Sequence, residues 1–149
     1  MASVRYSGSI LIQRPVADVF SYMDDVSREH EWQPNLRGAE QEPPGAAAVG
    51  TRRHYTSEFM GRSVKNSYEV KAYEPNQRVV LESMPGSTVS AANEILWASE
   101  DAGTRITMSV EGKPTGVLRF VPGALLEAAF REQVKESLTL LKQRLESAG

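Results

Sequence analysis

Arg53 with Tyr55, and Asn66 with Tyr68, form two pairs spaced by two residues. On a strand that spacing sends both side chains to one face, so each pair presents polar groups to a single space. Asn66 and Tyr68 lie between Val64 and Val70, and Asn93 lies among Val89, Ala91, Ile95 and Trp97 in the same phase. An amide among apolar neighbours carries a folding penalty unless something satisfies it. Two kinds of partner serve: a ligand held in an otherwise apolar cavity, or nearby groups of the protein itself. Tyr68, mid-strand, is the best placed pocket hydroxyl. Arg53 shares the phase of Tyr55 and points inward if Tyr55 does; the alternative is a solvent-facing arginine near a strand start. Tyr55, Phe59 and Tyr68 supply aromatic surface for a cavity wall or for ordinary core packing. Trp32 either lines a cavity mouth or caps the core. Met23, Met84 and Met108 are flexible space-fillers suited to adaptable cavities or to cores, and of these Met108 joins the candidate pocket, with Phe130 facing it from the C-terminal segment.

Other chemistries find no support. The chain of 149 residues has no cysteine, so a disulfide framework, a thiol nucleophile or a cysteine-zinc site is excluded. Its two histidines, His30 and His54, have no acidic or histidine partners at ligand spacing, and no metal or other cofactor is expected. His54 falls on the phase opposite Tyr55 and is expected to be exposed. Asp24-Asp25 reads as a helix cap rather than an acid pair. No phosphate-cradling glycine loop, nucleophile elbow or HExxH sequence occurs. The formal net charge of −2 lacks the basic excess of a general nucleic-acid binder. No apolar run approaches the roughly 20 residues that span a bilayer, and the N-terminus lacks a signal-like apolar stretch. The expectation is a cytoplasmic protein of one domain over residues 1–149, monomer or homodimer.

The elements that must position these residues follow from periodicity. Val4, Tyr6, Gly8, Ile10 and Ile12 alternate with mostly polar residues, a strand ended by Arg14-Pro15. Val16, Val19, Phe20 and Met23 recur at helical spacing, and a second short helix is expected over Val26 to His30. Turn signals at Pro43-Pro44-Gly45, Met60-Gly61-Arg62, Glu74-Pro75-Asn76, Pro85-Gly86 and Asp101-Ala102-Gly103 punctuate a series of short strands, an antiparallel meander with one face wet and one covered. One of these strands places Val64, Asn66, Tyr68, Val70 and Ala72 on a common face. Leu126, Phe130, Val134, Leu138, Leu141 and Leu145 build one continuous apolar stripe on a last, long helix. Such a stripe needs a partner surface, and the covered face of the meander is the large one available.

This order, and the segments Ser9–Asp25, Trp32-Gln33-Pro34, Val49–Arg52, Tyr68–Arg78, Gly103–Thr107 and Leu140–Glu146, resemble the polyketide cyclase/dehydrase branch of the START-like (SRPBCC, helix-grip) superfamily. The resemblance covers nearly the whole chain and rests on helix-start, turn and strand signals, which specify fold more than chemistry. It implies an α+β helix-grip fold, with a curved antiparallel sheet of about seven strands around the long C-terminal helix and two short helices after the first strand. It also implies a cavity between sheet and helix, with Trp32 near its mouth, and an interior arginine and tyrosines that handle polyketide oxygens, a role Arg53 matches loosely. The expected function is binding of a hydrophobic or amphipathic small molecule, polyketide- or lipid-like. The alternatives are a polyketide aromatase/cyclase or dehydratase using Arg53, Tyr55 and Tyr68, and a partner-binding stress module, which an exposed apolar patch would support; the pattern shows none.

Overall fold

The computed structural model describes residues 3–115 and 119–147. Seven strands are present: β1 (Val4–Ile12), β2 (Leu36–Glu42), β3 (Arg52–Phe59), β4 (Arg62–Glu74), β5 (Arg78–Ser83), β6 (Val89–Glu100) and β7 (Gly103–Pro114). They make one sheet in the order β1-β7-β6-β5-β4-β3-β2, and every pairing is antiparallel. Strands β2 to β7 are the expected meander. Helix α1 (Val16–Asp24) and a 3-10 helix (Val26–Glu31) carry the chain from β1 at one edge to β2 at the other. Pro15 precedes α1 in an extended conformation, where its missing N–H leaves no helical bond unmade. Asp25 caps the 3-10 helix, accepting from the Ser27 backbone N–H at 3.0 Å and the Ser27 hydroxyl at 2.6 Å.

Helix α2 (Gly123–Ser147) lies in the curve of the sheet. Its first turn is set by the Pro122 carbonyl, which accepts from the backbone N–H groups of Leu125 and Leu126. All six residues of the apolar stripe are buried, at roughly 1.5–3 kcal/mol for each large side chain taken out of water. Gly8 of β1 makes the close approach possible: a Cβ there would meet Val134 Cγ1 at 3.2 Å and Leu138 Cδ1 at 3.5 Å. This is the helix-grip arrangement. Among the described residues no helix is long and apolar enough to cross a membrane.

One part of the strand reading needs correction. The alternation through Val70 does not continue to Ala72, because β4 is bulged between these residues. The extra residue shifts the phase. Val70 opposes Leu81 and Tyr73 opposes Val79, while Ala72 opposes Val80 on the other face. Tyr73 therefore turns to the covered side, where its ring stands edge-on to Phe20 with centroids 6.0 Å apart.

The core divides into two clusters. One gathers Ile12, Val19, Phe20, Met23, Trp32, Val70, Trp97, Ile106, Leu138 and Leu141; the other gathers Phe59, Val64, Val89, Ala91, Leu126 and Phe130. Tyr6, Tyr68 and Val110 touch both. Beside Tyr68 and Val110 the packing opens into a cavity.

Candidate functional site

The cavity has a volume of about 150 Å³ and is partly open to solvent. Leu81, Ile95, Met108, Val110 and Val134 give it an apolar wall, and Glu29, Trp32, Gln33, Tyr55, Tyr68, Asn93 and Ser137 give it polar groups. Strands β2 to β7 supply the sheet side, α2 the helix side, and the 3-10 helix with the turn after it the remaining wall.

Of the residues expected at the pocket, Trp32, Tyr55, Tyr68, Asn93 and Met108 line the cavity. Arg53, Phe59, Asn66 and Phe130 do not, and each is held elsewhere by an identifiable partner. Phe59 and Phe130 pack on one another, centroids 6.1 Å apart, inside the second core cluster. Asn66 is a structural clamp. Its Oδ1 accepts from the backbone N–H groups of Thr88 and Val89 at 2.9 and 3.1 Å, and its Nδ2 donates to the Val89 carbonyl at 2.8 Å and to the Tyr68 hydroxyl at 3.1 Å. The amide thus completes the backbone bonding where β4 meets the start of β6.

Arg53 is neither solvent-facing nor in the cavity. It is 4% exposed; its guanidinium donates to Asp24 Oδ1 at 2.8 Å and to Gln41 Oε1 at 3.0 Å. Asp24, at the end of α1, also accepts from the Tyr73 hydroxyl. Of the expected cap pair, Asp25 alone caps; Asp24 is the anion of a buried ion pair. His54, on the outer face, is half-buried and contacts Ser67 Oγ at 2.7 Å and Glu42 Oε2 at 3.1 Å.

Glu29 was not singled out by sequence reasoning. It is buried, with Oε1 accepting from the Tyr55 hydroxyl at 3.1 Å and Oε2 from the Gln33 amide. Both partners are neutral. Burial pushes its carboxyl up to about 7, against the opposing pull of the Arg53 charge. Burial likewise raises the Tyr55 hydroxyl, and the neighbouring Glu29 raises it further. Tyr68 is raised by burial too, partly offset by its contacts with Asn66 and Asn93. The Tyr55 and Tyr68 rings meet edge-on, with centroids 5.8 Å apart. A carboxyl that titrates near neutrality beside a tyrosine hydroxyl can give or take a proton, and can hydrogen-bond a ligand in either state.

A signal for Glu29 does exist in the sequence. A 3-10 helix repeats every three residues, so Val26, Glu29 and Trp32 lie along one face. Reading back from Trp32 with that period, rather than with the α-helical one, reaches Glu29.

Trp32 adds a second feature. It is 2% exposed, and among the described residues its Nε1–H is the buried side-chain polar group without a hydrogen-bond partner. An unmatched buried donor costs about 1–3 kcal/mol. The other tryptophan is matched, with Trp97 Nε1 donating to Met23 Sδ at 3.3 Å. Outside the cavity, Phe120 is 79% exposed and lies under the Arg119 guanidinium, and Leu125 nearby is exposed as well. The strand and helix periodicities single out neither.

A family model described as polyketide cyclase / dehydrase and lipid transport matches residues 3–146. A protein of Thermus thermophilus is similar in structure at 17% identity, with a TM-score of 0.82 over 98% of this chain and 99% of that one. A START superfamily protein of Mycobacterium smegmatis gives 14% identity and a TM-score of 0.80, over 97% and 99%. The Zhui aromatase/cyclase of a Streptomyces species gives 12% identity and a TM-score of 0.81, over 97% and 94%. At such identities the likeness shows the fold. No curated protein matches the sequence.

Proposed function

The chain belongs to the polyketide cyclase / dehydrase and lipid transport family, and from that premise we propose that it binds a small, largely apolar molecule in the cavity between sheet and α2. The observation that carries this reading is the make-up of the cavity wall. An apolar surface from Leu81, Ile95, Met108, Val110 and Val134 meets a polar group of Glu29, Tyr55 and Trp32. Ordinary core packing has no use for a buried carboxyl with only neutral partners, whereas a pocket that orients a ligand by one end does. The volume of about 150 Å³ suits one ring or a short chain, below the roughly 300–1,000 Å³ of typical ligand sites. Trp32, Tyr55, Tyr68, Asn93 and Met108 are the ligand-facing residues in this reading, with Glu29 added.

Native mass spectrometry of freshly purified protein tests it, alongside titration with an apolar fluorescent probe. A co-purifying small molecule or saturable probe binding to a cooperatively folded sample is the expected result. A folded protein that carries nothing and takes up no probe would overturn the reading.

One observation favours a second reading, an enzyme of the cyclase or dehydratase type. Glu29 with its carboxyl near 7 and Tyr55 at 3.1 Å form a pair able to move a proton at neutral pH. Turnover of a poly-β-ketone substrate that is lost in Glu29→Gln, while binding persists, would establish catalysis. Binding without turnover would leave the first reading alone.

A further inference from the structure

The polar groups of the cavity wall differ in what they still need. The Glu29 carboxylate oxygens are engaged by Tyr55 and Gln33. The Tyr68 hydroxyl accepts from Asn66. Arg53, the cation nearest this group of residues, is taken up by Asp24 and Gln41 and does not reach the cavity. Among the described residues the buried donor left without a partner is Trp32 Nε1–H. A water molecule is a weaker match for it, because a buried water needs two to four polar partners whereas a carbonyl oxygen needs only the donor. An anion is a poor match as well, since the wall offers Glu29 and no cation among its lining residues. An ammonium group has no acceptor to give.

Building on the reading of this cavity as a ligand site, we infer that Trp32 is its specificity determinant, and that the ligand is an uncharged molecule of about one ring carrying an oxygen acceptor for the Trp32 indole N–H. The apolar wall then takes the hydrocarbon body. Specificity of this kind is steep, because a ligand without the acceptor leaves the buried donor unpaired.

The experiment uses matched probes on the whole chain. Acetophenone carries the acceptor, α-methylstyrene replaces its oxygen by a methylene of similar shape, and benzoate carries a charged one. Binding is followed by proton–nitrogen correlation spectra, in which the indole N–H of Trp97, bonded to Met23, serves as internal reference. Acetophenone should bind at least tenfold tighter than α-methylstyrene and benzoate, and should move the Trp32 indole resonance downfield while that of Trp97 stays. In Trp32→Phe the preference for acetophenone over α-methylstyrene should vanish. Equal affinities in the parent with an unmoved Trp32 resonance, or tighter binding of benzoate, would overturn the inference while leaving the cavity a ligand site. Failure of all three probes to bind the folded protein would overturn both. The parent spectra decide the matter even where the variant fails to fold.

Discussion

Two neighbouring carboxyl groups, Asp24 at the end of α1 and Glu29 in the 3-10 helix, are treated in opposite ways. Asp24 meets the Arg53 guanidinium at 2.8 Å and a tyrosine hydroxyl, so charge is met by charge. Glu29 meets only Tyr55 and Gln33, and burial lifts its carboxyl to about 7. The same contrast recurs between Asn66, whose amide is satisfied by backbone groups, and Trp32, whose N–H is not satisfied at all. Asp24 and Asn66 sit away from the cavity, and Glu29 and Trp32 line it. On the proposed reading, polar groups that carry their own charged or backbone partners hold the fold, and Glu29 and Trp32 mark where a ligand binds.

Breaking the matched half should cost most. Arg53→Met leaves the Asp24 carboxylate without its cation, and equilibrium urea denaturation should show a loss of about 3–5 kcal/mol. An unchanged midpoint would remove the contrast at its strong end. Next is the pH dependence of the unmatched carboxyl. Folding raises the Glu29 carboxyl from 4.5 to about 7, so the folded state holds this proton more tightly. Its stabilising effect is complete below pH 4.5 and is lost as pH rises through 7, a change on the order of 3 kcal/mol. Glu29→Gln should flatten that slope and gain on the parent at pH 8; parallel stability profiles for the two proteins between pH 4.5 and 8 would contradict it. Asn66→Leu strands the N–H groups of Thr88 and Val89 and should lose about 2 kcal/mol of thermal stability. The smallest effect belongs to Trp32→Phe. It removes a donor that bonds nothing, so the packing lost, about 1 kcal/mol, is offset by relief of the unpaired N–H, and the net change should be near zero. A larger loss there than in Asn66→Leu would reverse the assignment of the two groups.

Much of this architecture is legible in the residues. The stripe from Leu126 to Leu145, the meander punctuation and the Arg14-Pro15 helix start each name their element because a regular period repeats over many residues. Placement in the cavity is less legible. Tyr55, Tyr68 and Asn93 follow from strand phase, but Arg53 shares the phase of Tyr55 and still misses the cavity, because a partner distant in sequence, Asp24, captures it. The bulge after Val70 brings Tyr73 inward against the alternation, and no residue type announces it. Glu29 is hidden for another reason: it lies in a six-residue 3-10 helix, where the α-helical period fails and only the three-residue step back from Trp32 places it.

The most direct measurement is the titration of the Glu29 side-chain carboxyl carbon by NMR in the ligand-free protein, assigned by its absence in Glu29→Gln. A midpoint near 7 is expected, as for a cavity carboxyl whose partners are all neutral. A midpoint at or below the ordinary 4.5 would mean that Glu29 is as well matched as Asp24, and the distinction between the groups that hold the fold and those that await a ligand would fail.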